Sequence, residues 1–219
     1  MDRRNDKEGA TFAAPGDLLF SLPTICDWMP PLTERILYSG EILALHEDDW
    51  RQVELIAYEY CDDIEAMLAG IYDIYEKERS PGGAFRRIFV RDRIADPLSL
   101  KSIKVDTLRT HFQDATDYHF LGYEAFEGIV EGGFTWRTGG GLLVYGRHAG
   151  NVLHTLCLEI LGRGPGLEKD RQVLEDFCRA HRLVLVDWCF CEALLPQEEG
   201  FRTYFSPSGR GYRSIGRRP

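Results

Sequence analysis

Four side chains between positions 111 and 119 hold the densest potential chemistry in the chain: His111, Asp114, Asp117 and His119. Imidazoles and carboxylates this close in sequence can ligate a metal or move protons. The chemistry they would support is a hydrolytic or metal-assisted reaction. Their spacing argues the other way. No pair falls at the H-x-x-x-H interval that aligns two imidazoles on one helical face, and no orienting partner can be named. A polar loop in which Asp114 or Asp117 caps a helix accounts for the same residues.

A fifth candidate, His154, lies in a strand-like run where Val152, His154, Leu156, Leu158 and Ile160 alternate onto one face. A histidine in an apolar row reads first as a hydrogen-bonded core residue and second as a ligand or catalyst. Gly162-Arg-Gly-Pro-Gly166 stands where a strand gives way to a helix, the usual place for a phosphate loop. Neither glycine fingerprint is complete, and turning a corner is sufficient reason for the glycines. The six cysteines sit mostly in apolar runs, and Cys189 and Cys191 form C-x-C, not a C-x-x-C redox or zinc motif. They read as buried thiols in a reducing compartment. None of these patterns calls for a cofactor or a metal.

Charge is segregated along the chain. The net charge is −9, yet between Glu41 and Glu78 twelve acidic residues face only Arg51 and Lys77. The stretch from Arg79 to Arg109 is basic, and Phe201–Pro219 carries five arginines and no acid. Overall acidity disfavours general nucleic-acid binding, while an acidic surface speeds capture of a basic partner. The residues expected to form that surface are Glu47, Asp48 and Asp49, at a hairpin tip, together with Asp62 and Asp63, at the start of a helix.

The elements that must position these groups follow from periodicity. Arg182–Leu195 is apolar on both faces of a strand, so it is expected inside a sheet with helical cover. Asp62–Arg79 carries Ile64, Met67, Leu68, Ile71, Ile74 and Tyr75 on one helical stripe. A hairpin is expected over Glu41–Tyr58 and three antiparallel strands over Gly132–Ile160. Ala84–Ile94 reads as an edge strand with outward arginines, and Leu167–His181 as a helix. Short elements are expected at Leu32–Tyr38 (helix), from about Ser102 to Phe112 (helix) and at Phe201–Phe205 (strand).

The expected fold is α+β, a largely antiparallel sheet with a central two-sided apolar strand at about 182–195 and helices packed on it. One domain is expected over residues 16–205, between a disordered segment at 1–15 and a flexible basic tail at 206–219. No apolar run reaches the roughly 18 residues of a membrane span, and the charged N-terminus lacks a secretory h-region, which points to the cytoplasm. The leading functional expectation is a non-enzymatic protein-binding module that uses the acidic surface to meet a basic protein. A hydrolase or metal-assisted enzyme built on residues 111–119 is the alternative. Weak RNA binding by the arginine-rich tail is the third.

Overall fold

The computed structural model describes residues 19–33, 42–117, 120–124, 126–162, 166–206 and 209. In chain order the strands and helices are β1 (Thr24–Cys26), β2 (Leu32–Thr33), β3 (Ile42–Leu45), β4 (Val53–Ala57), α1 (Cys61–Glu78), β5 (Phe89–Arg91), α2 (Val105–His111), β6 (Thr116–Asp117) and β7 (Phe120–Tyr123). There follow β8 (Ile129–Val130), β9 (Gly133–Arg137), β10 (Leu142–Ala149), β11 (Val152–Ile160), α3 (Leu167–His181), β12 (Leu183–Asp187), β13 (Glu192–Leu194) and α4 (Glu199–Tyr204). Seven strands form an antiparallel sheet in the order β13-β12-β4-β11-β10-β9-β6. Three two-stranded pairs flank it: β1 with β5 and β3 with β7 in parallel, and β2 with β8 antiparallel. The architecture is α+β with a largely antiparallel sheet.

Both faces of the sheet are covered. In β12, Leu183 and Leu185 join α3 residues Leu174, Phe177 and Cys178 in one core, while Val184 and Val186 join α1 residues Ile64, Met67 and Ile71 in another. The two-sided apolar pattern therefore means what alternation says it should. A third cluster, on the α1 side of β10 and β11, packs Trp50 and Tyr123 against Leu143, Tyr145 and Cys157.

Several expectations are corrected. Arg182–Leu195 is not one central strand. It is a hairpin of β12 and β13 at the sheet margin, and β11 lies in the middle of the sheet. The reversal begins at Asp187, whose Oδ1 accepts the Phe190 N–H at 3.0 Å, and ends at Cys191, which adopts φ 54°. A carboxylate that binds the backbone a few residues on makes a turn where apolar residues alone would run straight. Residues 42–57 likewise form no hairpin: β3 pairs with β7, and β4 enters the main sheet between β12 and β11. The residue that separates them is Trp50, 1% exposed and packed edge-on against Tyr123 at 6.1 Å.

In β5 the expected orientation is inverted, since Val90 is exposed and Arg91 is buried. Phe201–Phe205 is helical, because Phe201, Tyr204 and Phe205 fall at the i, i+3, i+4 spacing that buries one helix face. Leu32 and Thr33 pair as β2, and Glu34–Tyr38 lies outside the described residues, as do residues 1–15, Arg163–Pro165 and most of 206–219. The three strands over Gly132–Ile160 and the helices at Asp62, Ser102 and Leu167 are as expected, give or take a turn.

Asp187 gives the hairpin a pH dependence. It is 2% exposed, and burial pushes its carboxyl from an ordinary 3.8 up to about 6, against the pull of the Tyr204 hydroxyl, which donates to Oδ2 at 2.9 Å. The folded chain thus holds this proton more tightly than the unfolded one. The contribution is fully present below 3.8 and is lost as pH rises through about 6. Asp187→Asn keeps an acceptor for the Phe190 N–H and turns an amide donor toward the Tyr204 oxygen, without the charge. In urea unfolding at a series of pH values, wild type should lose on the order of 2 kcal/mol relative to Asp187→Asn across that window. A constant difference between the two proteins would contradict the assignment.

Candidate ligand cleft

The groups marked out by sequence do not converge. The His111 ring donates from Nδ1 to the Thr107 carbonyl at 2.9 Å and stands edge-on to Phe177. Asp114 is paired with Lys169 on the surface, and Asp117 accepts from Arg109 Nη2 at 2.7 Å. His119 lies outside the described residues. His111 and Asp114 do share a hollow of about 100 Å³ with Lys169 and Asp170. Asp170 there is held by the Thr138 hydroxyl and by backbone N–H groups at Gly140 and Leu142, which ties α3 to the β9–β10 loop. Among the described residues no three His, Cys, Asp or Glu side chains are grouped so as to hold a metal.

His154 leaves its expected row because of a bulge. Arg147 pairs with Thr155 and His148 with Leu153, so the extra residue in β11 is His154. Leu153 takes the core position beside Leu156, and the His154 ring moves to the rim, with Nδ1 3.1 Å from Asp96 Oδ1. Of the expected acidic surface, Asp49 is only 8% exposed and so is no tip residue. It belongs to a short 3-10 turn, Glu47–Asp49, capped by His46 Nδ1, which accepts from the Asp48 N–H at 3.2 Å. Asp62 is exposed in the first turn of α1, and Asp63 lies 3.7 Å from Arg93.

A larger concavity, about 230 Å³, opens elsewhere. Its walls are the arm Trp28–Pro31, the corner Trp50–Arg51, Ala95–Asp96, and Arg147 with Thr155 from β10 and β11. The arm is irregular but fixed. Trp50 Nε1 donates to the Trp28 carbonyl at 3.0 Å, Trp28 Nε1 to the Asp92 carbonyl at 3.3 Å, and the Glu131 N–H to the Pro31 carbonyl at 2.9 Å. Trp28 and Met29 nevertheless stay 48% and 39% exposed at the mouth.

Behind the corner lies the most polar part of the interior. Glu54 is 0% exposed within β4. Arg51 clasps it with two hydrogen bonds, Nε to Oε2 at 2.7 Å and Nη2 to Oε1 at 3.2 Å. Arg51 Nη1 donates to the carbonyls of Ile94 (3.0 Å) and Ala95 (3.1 Å), so the same side chain builds one wall of the cleft. Trp188 Nε1 donates to Glu54 Oε1 at 2.8 Å. Arg91 reaches the Arg51 carbonyl at 2.7 Å and Glu54 at 3.5 Å, with its guanidinium 5.0 Å from the Trp188 ring centre.

Burial acts against both guanidinium charges. In Arg51 the adjacent Glu54 outweighs it and holds the group above its ordinary range, whereas in Arg91 burial prevails and the pKa falls. Arg51 itself sits at φ 59°, a left-handed conformation that a long side chain adopts only when its contacts impose it. Sequence reading missed this site. Its signals were a charged pair, Arg51 and Glu54, beside an apolar strand, and the run Trp28-Met-Pro-Pro.

Compared with protein-family models, curated proteins and solved structures, the chain gives no match.

The clasp generates a prediction. Glu54→Gln preserves shape but leaves Arg51 and Arg91 buried without a counter-charge. It should cost about 3–5 kcal/mol in equilibrium urea unfolding. A loss below about 1 kcal/mol, the scale of an exposed pair, would show that water reaches the cluster.

Proposed function

We propose that the protein is a non-enzymatic protein-binding module that receives a partner segment in the cleft at Trp28–Pro31. The observation that carries this reading is the pair Trp28 and Met29, large, apolar and exposed at the mouth of a concave site, with Trp28 held there by hydrogen bonds. Tryptophan, methionine and arginine are the residues enriched where proteins meet. An anchor already fixed before binding loses little conformational freedom on association.

The acidic residues connect to segments that wall the cleft. Asp63 meets Arg93, the neighbour in sequence of Asp92, whose carbonyl holds Trp28. The Gln52 amide joins the Asp48 and Thr24 carbonyls, which ties the Glu47–Asp49 turn to β1. Glu47, Asp48, Asp62 and Asp63 therefore supply the long-range attraction for a basic partner, and the cleft supplies the short-range contact.

Asp96 beside His154 is the one arrangement that favours a hydrolytic alternative, because a carboxylate orients an imidazole for proton transfer. The approach is not a hydrogen bond, since His154 Nδ1 has no hydrogen-bond partner among the described residues, so Asp96 does not orient the ring in this way.

Selection from a displayed random-peptide library against the purified protein tests the binding reading. Enriched peptides should carry lysine or arginine, bind more weakly as salt rises, and lose about tenfold in affinity to the double variant Trp28→Ala, Met29→Ala. Failure to enrich any sequence, or equal affinity for both proteins, would remove the proposal.

A further inference from the structure

The unsatisfied buried groups of this protein share a chemistry. Among the described residues, the buried side-chain atoms without a hydrogen-bond partner are, apart from two imidazole nitrogens, N–H or O–H groups: Arg91 Nε and Nη2, Tyr123 Oη, Tyr145 Oη, Thr135 Oγ1 and Arg147 Nε. Burying such a donor without an acceptor is costly, so a set of them is an unexplained expense unless an acceptor visits.

Four of these side chains gather on one face of the sheet. Tyr145 and Thr135 are directly opposed on β10 and β9, and Arg147 follows two residues along the same face and lines the cleft. Trp50, also in the cleft wall, packs against both tyrosines, with ring centres 6.1 Å from Tyr123 and 6.3 Å from Tyr145. Tyr145, Thr135 and Tyr123 are each at least nine-tenths buried.

Local charge runs in the same direction. Along the cleft wall itself Arg51 and Arg147 outnumber Asp96, although the whole chain carries −9. Asp96 is the one carboxylate at the cleft wall, and it is shared between His154 at 3.1 Å and Arg147 Nη1 at 4.0 Å. Arg147 Nε is left without an acceptor.

We infer that the inner end of the cleft binds an oxyanion, the phosphate or carboxylate group of a ligand, with Arg147, the one of these donors that lines the cavity, as its main contact. Guanidinium groups match both anions geometrically, and charge-assisted hydrogen bonds are the strong ones. This inference rests on the cleft being a binding site and adds the chemical class of what enters it. The organic remainder of the ligand lies against Trp28 at the mouth.

Titration calorimetry of the whole chain with inorganic phosphate and, separately, with acetate tests the site, with chloride at matched ionic strength as the reference. Saturable binding of either anion, weakened about tenfold or more in Arg147→Gln, supports it, and the anion preferred tells a phosphate ligand from a carboxylate ligand. Binding no stronger than chloride for both anions, or binding unchanged in Arg147→Gln, overturns it.

Arg147→Lys keeps the inference testable if Arg147→Gln does not fold. It retains the positive charge but not the planar fork that matches an oxyanion, so affinity for the anion should fall below that of wild type. Unchanged affinity in that variant would also overturn the site. Anion binding without peptide enrichment would sink the protein-partner reading alone, and peptide enrichment without anion binding would sink this one alone.

Discussion

Everything near the cleft depends on one buried carboxylate. Glu54 sits inside a strand, fully enclosed, and ionised groups do not stay in such places without partners. Three side chains from three segments reach it: Arg51 from the corner before β4, Arg91 from β5, and Trp188 from the turn after β12. Arg51 extends the network to the carbonyls of Ile94 and Ala95, and Arg91 returns to the Arg51 carbonyl. Segments far apart in sequence are thereby fixed around a single charge. A buried ion pair of this kind adds little net stability compared with an apolar replacement, but breaking one side of it is severe, so what it supplies is a specific arrangement.

The same constraint explains the local departures from pattern. Arg91 turns inward and Val90 outward because Glu54 and the Arg51 carbonyl attract the guanidinium, overriding the usual sense of an edge strand. Arg51 keeps its left-handed backbone because its side chain has five directed contacts on the inside. Trp188 ends β12 because its indole N–H is claimed by Glu54, and Asp187 then folds the chain back. Functional sites are where such local irregularities concentrate, and one of them, Arg51, lines the larger cleft.

How much of this is legible in the sequence follows from which interactions repeat along it. The apolar alternation of Leu183–Asp187 and the stripe of α1 are periodic, and both are readable as core elements. The partner of a strand is not periodic. Ile42–Leu45 resembles one arm of a hairpin because Val53–Ala57 follows it closely, yet Trp50 separates them and each pairs elsewhere. His154 reads in register with Leu156, and a single bulge moves it to the other side. The cluster at His111–Asp117 is conspicuous by residue type, but its members are spent on neighbours close by, Thr107, Lys169 and Arg109. The cleft is invisible in sequence because its walls come from five stretches that only the folded chain brings together.

What emerges is a protein with a fixed interior charge, a preformed aromatic mouth and a set of buried donors without acceptors. The most direct test of its physical basis is a double-mutant cycle in urea unfolding between Glu54→Gln and Arg91→Met. If Glu54 is the shared anchor, the two losses should fall short of additivity by about 2 kcal/mol, since the second change removes a charge that the first has already left unpaired. Losses that add to within about 0.4 kcal/mol would mean that the two residues act independently, and that the cleft is held open by something else.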